Sequence, residues 1–85
     1  MDTVQVINEI LDRLADLDNH AEEYGLDALE VRDVRDSIVC MSDLLNDPCG
    51  LEGDPRDVIA HWLFFGGMDS HPRDRLLNWL EELTS

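Results

Sequence analysis

There is no lysine anywhere in this chain. Its six basic residues are all arginine and stand against twenty aspartates and glutamates, for a net charge of −14 over 85 residues. Such a chain repels nucleic acid and anionic membranes and attracts basic surfaces. The missing lysine also removes the P-loop, which Gly50, Gly53, Gly66 and Gly67 do not otherwise spell; nor do they form the dinucleotide fingerprint. No apolar run approaches the ~18 residues of a membrane span. No basic segment followed by an apolar run marks a secretion signal. The only two cysteines, Cys40 and Cys49, are therefore expected as free thiols in a reducing cytosol, and the protein as cytoplasmic. Strand-like alternation, internal repeats and low-complexity tracts are all missing.

What the chain does have is helical periodicity. From Thr3 to Tyr24, Ile7, Ile10, Leu14, Leu17, Ala21 and Tyr24 recur at alternating spacings of three and four, one apolar seam along a helix. Asp2 or Thr3 supplies the N-cap. Gly25 suits the left-handed stop, with Leu26 as the hydrophobic contact behind it. Asp27-Ala28-Leu29-Glu30 has the form of a capping box, so a second helix over 28–45 starts almost at once. Its seam reads Val31, Val34, Ile38, Met41 and Leu45. So short a connection favours an antiparallel hairpin with the two seams facing.

Residues 46–53, with Pro48, Gly50 and Gly53, read as a loop. Asp54 and Pro55 open a third helix over 55–65. In it Val58, Ile59, Trp62, Leu63 and Phe65 cover one broad face, before Gly66-Gly67 ends it. Ser70-His71-Pro72 opens a fourth over 71–83, with Leu76, Leu77, Leu80 and Leu83 inward and Trp79 beside them. The expected fold is all-α: one domain over 1–85, a small bundle of about four helices on a long N-terminal hairpin. Eighty-five residues leave room for one thin core only.

Catalysis and metal binding draw little support, and no cofactor is expected. His20, His61 and His71 are scattered, and none forms the close helical pair of a zinc site. Asp69, Ser70 and His71 are neighbours in a turn, where helix capping accounts for them better than a nucleophile, base and orienter. Asp16, Asp18, His20 and Glu22 alternate like calcium ligands, but Ala21 stands where such a loop needs glycine.

The acids are patterned. Residues 1–47 hold thirteen acids and three arginines, and residues 48–85 hold seven and three. On the first helix Glu9, Asp12, Asp16, Asn19 and Glu23 form a polar stripe about half a turn from the seam. On the second, Asp33, Asp36, Asp43 and Asp47 repeat the rhythm with Cys40 in the gap. That stripe projects nearly opposite its seam, so both stripes are expected to face solvent. Carboxylates come about every 5 Å along the first stripe, against ~3.4 Å per phosphate along a DNA strand. Close like charges cost about 0.2–0.5 kcal/mol per pair. Arg13 is placed to offset Glu9 and Asp16, and Arg32 to offset Asp36. A solvated face, or the acidity of a halophile's domain, is the ordinary alternative.

A small, helical, strongly acidic chain with carboxylate stripes resembles the phage-encoded inhibitors that mimic DNA, above all the type I anti-CRISPR proteins. The resemblance implies a protein that occupies the basic DNA-binding channel of a CRISPR surveillance complex, with surface carboxylates in the place of phosphates. Its partner would be a basic nucleic-acid-binding protein or complex, with no direct binding of nucleic acid. The competing expectation uses the other half of the chain: a helical adaptor, antitoxin or toxin-immunity protein docking through Trp62, Phe64 and Phe65. Phe64 projects away from the inward face of its helix, while most of the aromatics are expected inside. A homodimer formed through the long seams is compatible with either.

Overall fold

The computed structural model describes residues 2–47, 51–66 and 68–85. Four α-helices run α1 (Thr3–Asn19), α2 (Ala28–Leu45), α3 (Pro55–Phe65) and α4 (Ser70–Thr84), and no strand occurs among the described residues. Each of the first three begins where side-chain chemistry satisfies its orphan amides. Asp2 accepts from the Gln5 N–H while the Gln5 side chain returns to the Asp2 N–H, a reciprocal box. Asp27 accepts from the Glu30 N–H, and Asp54 accepts from the Arg56 N–H with Pro55 in the first helical turn. At α4, Asp69 occupies the cap position without a side-chain bond. Pro48, Cys49, Gly50 and Gly67 lie outside the described residues, so the expected free thiol at Cys49 does too; Cys40 is a free thiol.

The first helix is shorter than the expected 3–24. It ends at Asn19, where His20 takes φ −122° and ψ 30°. Asp16, Asp18, Glu22 and Glu23 crowd its carboxyl end, and its last turn holds no basic residue. Acids at that end oppose the helix dipole, which weakens the final turns. A separate turn follows. Gly25 adopts φ 71°, Leu26 N–H donates to Ala21 C=O at 2.9 Å, and Gly25 N–H donates to Glu22 C=O at 3.2 Å. That is the paired-bond stop predicted at Gly25, closing a turn rather than a long helix.

α1 pairs most extensively with α2, antiparallel across this short link, and α3 and α4 close the bundle. Val6, Ile7, Ile10 and Leu14 of α1 meet Val34, Met41 and Leu44 of α2, Ile59 and Leu63 of α3, and Leu76 and Leu80 of α4 in one buried cluster. Thr3 ties the start of α1 to the approach of α3, its hydroxyl donating to Gly53 C=O at 3.3 Å.

Three expected faces are corrected. In α1 the seam stops short, because Tyr24 is exposed. In α2 the fully buried residues are Val34, Ser37, Met41 and Leu44, while Val31, Ile38 and Leu45 are only half-buried. The inward face is thus rotated toward Ser37, a polar residue made tolerable there by donating its hydroxyl to Asp33 C=O at 2.8 Å. Phe65, placed on the inward face of α3 by its spacing, is 80% exposed.

Candidate functional site

The α1 row, Glu9, Asp12 and Asp16, is built on a helix whose buried face lies about 145° away from it. Glu9, Asp12, Asp16 and Glu23 are all exposed. Glu9 and Asp12 make no side-chain hydrogen bond or ion pair among the described residues. Arg13 does not fold back onto Glu9 or Asp16 as expected. Its guanidinium reaches Glu82 of α4 at 2.7 Å and lies 5.7 Å from the Trp79 ring centroid, because the position faces the α1–α4 seam. Arg35 of α2 likewise reaches Asp18 at 3.0 Å, across the α1–α2 seam. Two of the three arginines in the acidic half therefore clamp helices together instead of screening the row.

The carboxyl end of the row is fastened locally. Tyr24 donates its hydroxyl to the Asp16 carboxylate at 2.6 Å. That bond, with the Asp16 charge behind it, pushes the Tyr24 phenol above its usual range. His20 lies 3.8 Å from Asp16 and 3.4 Å from Glu23, and binds them as an ion only when protonated. Glu23 belongs to the separate turn rather than to α1, so the regular helical spacing runs only from Glu9 to Asp16.

The α2 row does not lie opposite its helix's buried face. Since that face is centred nearer Ser37, the row runs along its flank, beside α3 and α4. Asp33 is only 24% exposed and lies 3.7 Å from His71 of α4. Asp36 is largely exposed and meets Arg32 at 3.9 Å, as expected from the four-residue spacing. Asp43 is exposed, and Asp47 is half-buried. Asp33 and Asp36, with Cys40, Gly66, Met68, Asp69 and Pro72, line a small cavity of about 220 Å³. Cys40 sits half-buried in this row. Burial pushes its thiol up, against a hydrogen bond with Trp62 that lowers it, and the Asp43 charge adds to the upward shift. The Trp62 indole N–H also donates to Cys40 C=O at 3.0 Å, which docks α3 on α2.

The aromatics divide. Trp62 is half-buried against the core, whereas Phe64 and Phe65 are 56% and 80% exposed. Phe65 stacks on His61 with centroids 4.4 Å apart, and the Arg73 guanidinium lies 4.5 Å from the Phe64 ring centroid. Phe64 projects outward as expected, whereas the expectation that most aromatics sit inside fails, because Phe65 and Tyr24 are exposed as well.

Chemically, the two rows can accept hydrogen bonds from guanidinium and ammonium groups, and the Phe64–Phe65 corner can bury against an apolar surface. Among the described residues, no group of three histidine, cysteine, aspartate or glutamate side chains is arranged to hold a metal ion, and no helix is long and apolar enough to cross a membrane. Sequence reasoning missed the inter-helix partners Glu82 and Asp18. It also missed a groove beside α3 edged by Glu52 and Asp57. Only the position of Glu52, in a loop next to the Asp54 cap, hinted that acids gather there. Comparisons of this chain with protein-family models, with curated proteins and with solved structures found no match.

Proposed function

We propose that this protein is an acidic inhibitor that acts in the cytoplasm. It binds the basic DNA-binding surface of a nucleic-acid-binding complex, foremost a CRISPR surveillance complex, and keeps target DNA out by charge mimicry. The contact set is Glu9, Asp12, Asp16 and Glu23 on one side and Asp33, Asp36, Asp43 and Asp47 on the other. The observation that carries the reading is the disposition of the cations. Arg13 and Arg35 are spent on Glu82 and Asp18, while Glu9, Asp12 and Asp43 stand exposed and unmatched among the described residues. Unscreened like charge at helical spacing is unfavourable for the isolated protein, and a basic partner reverses its sign. The half-buried Asp33 contributes through its field more than by contact.

The test is competition for fluorescent duplex DNA on a purified surveillance complex, at low and at physiological salt. The wild-type chain should displace DNA, with an affinity that falls steeply as salt rises. Glu9→Arg with Asp12→Arg, and separately Asp36→Arg with Asp43→Arg, should weaken displacement while circular dichroism reports intact helices. If both double reversals compete as well as the parent, mimicry is wrong.

The exposure of Phe64 and Phe65 favours one other reading: a helical adaptor, antitoxin or toxin-immunity protein anchored through Trp62, Phe64 and Phe65. Aromatic anchors of this kind carry binding energy that salt hardly touches. Phe64→Ala with Phe65→Ala would then abolish binding, and the charge reversals would not.

A further inference from the structure

Away from the α1 row, and touching the α2 row only at Asp47, a groove of about 540 Å³ runs along α3 where it meets the end of α2. Leu44, Val58 and Trp62 form its floor. Glu52 and Asp57 stand on its rim with Asp47, and His61 closes one side. Val58, His61, Trp62 and Phe65 follow one another at spacings of three, one and three on a single face of α3. The exposed Phe65 ring, stacked on His61, therefore continues the apolar floor by another turn. The exposed Glu52 and Asp57 carboxylates have no ion-pair partner among the described residues, and no arginine lines the groove.

We infer that this groove is a docking site for a basic amphipathic helix of a partner protein: a segment with leucine-like residues along one side, flanked by arginine or lysine. The volume lies within the range of binding clefts. An apolar floor of helical length is the form in which grooves take helices, through anchors spaced three and four apart. The rim selects the charge of the guest, since cations beside those anchors meet Glu52 and Asp57. A second copy of this chain is the wrong occupant, because it brings its own net charge of −14 to an acidic rim. The site shares no residue with the α1 row, so it stands independently of mimicry through that row.

The probe is a synthetic 14-residue helical peptide with leucine on one face and lysine elsewhere. Its control keeps the charge but replaces every leucine by serine. Binding is read at physiological salt from tryptophan fluorescence and amide chemical shifts. The leucine peptide should saturate, shift the amides of Val58, His61 and Trp62, and bind at least tenfold more tightly than the serine peptide. Glu52→Gln with Asp57→Asn should weaken it about tenfold. Phe65→Ala, at an exposed position, should weaken it several-fold without altering the thermal melt. The preference for leucine over serine should survive Glu9→Arg with Asp12→Arg. Equal affinity for the two peptides overturns the inference, as do shifts confined to the Glu9–Asp16 row or indifference to the rim and Phe65 variants. Dimers of the free protein in sedimentation that bury Val58 and Trp62 would also overturn it, by assigning the groove to a second copy.

Discussion

Replacing Asp12 by asparagine should make the protein more stable. Asp12 lies in the middle of α1, beyond the reach of either helix end, so the helix dipole has little hold on it. Its carboxylate is exposed and has no partner among the described residues. Glu9 stands three residues before it and Asp16 four residues after, both on its own face of the helix. Each like-charged pair at these spacings costs about 0.2–0.5 kcal/mol. Coulomb's law in water gives about 0.7 kcal/mol for unit charges 6 Å apart, the same order. Asparagine and aspartate differ little in helix propensity, so Asp12→Asn removes two repulsions and little else. The expected gain is about 0.4–1 kcal/mol, or roughly 2–8 °C in melting temperature for a domain of this size. The decisive control is salt. In 10 mM sodium chloride the Debye length is about 30 Å and the gain should be full; in 1 M it is about 3 Å and the gain should vanish. Thermal melts of the two proteins at both concentrations read it directly. A lower melting temperature for Asp12→Asn at low salt, or a gain that persists in 1 M salt, would refute the claim that the row is held at an electrostatic cost.

Tyr24 is the only tyrosine, so ultraviolet absorbance titrates a single phenol. Its folded value is raised by the bond to Asp16. The stability linked to that bond is therefore fully present below the unfolded value near 10 and is lost as pH rises through the higher folded value. Asp16→Asn should bring the ionisation back down, and coincident titrations in the two proteins would contradict the bond. Gly25→Ala should destabilise by about 1 kcal/mol: a left-handed alanine costs about 1–2 kcal/mol, partly offset by a less flexible unfolded chain. No side chain or backbone stands within 4 Å of the added methyl, so strain at φ 71° is the whole effect, and a neutral result in urea unfolding would deny it.

Helix positions were legible because caps and stops are local chemistry. Asp27, Asp54 and Pro55 set the starts of α2 and α3, which end at Leu45 and Phe65, where the loop over 46–53 and the Gly66-Gly67 pair place them. Helix faces were less legible, because tertiary packing selects them. Val31 and Ile38 are more apolar than Ser37, yet Ser37 is buried, since one bond to its own helix satisfies its hydroxyl. The break at His20 follows from acids gathered at the wrong end of the dipole, visible in composition but not in hydrophobic rhythm. Of the candidate site, the α1 row emerged as read from Glu9 to Asp16. The α2 row turned onto a flank when its helix rotated, carrying Asp33 against α4. Arg13 shows why charge pairing resists local reading: spacing offered it Glu9 and Asp16, and the fold gave it Glu82.

The exposed Phe64 and Phe65 also bear on how the protein behaves among its own copies. Two neighbouring aromatic residues at the end of α3 are adhesive, and Arg73 and His61 cover them only in part. What holds one molecule off another is the surplus of negative charge. The carboxylates proposed to meet a partner thus have a second duty, as the colloidal stabiliser of a surface with an aromatic corner. A basic partner that neutralises the rows withdraws that repulsion at the same moment, leaving the corner free to gather whatever apolar surface the complex presents.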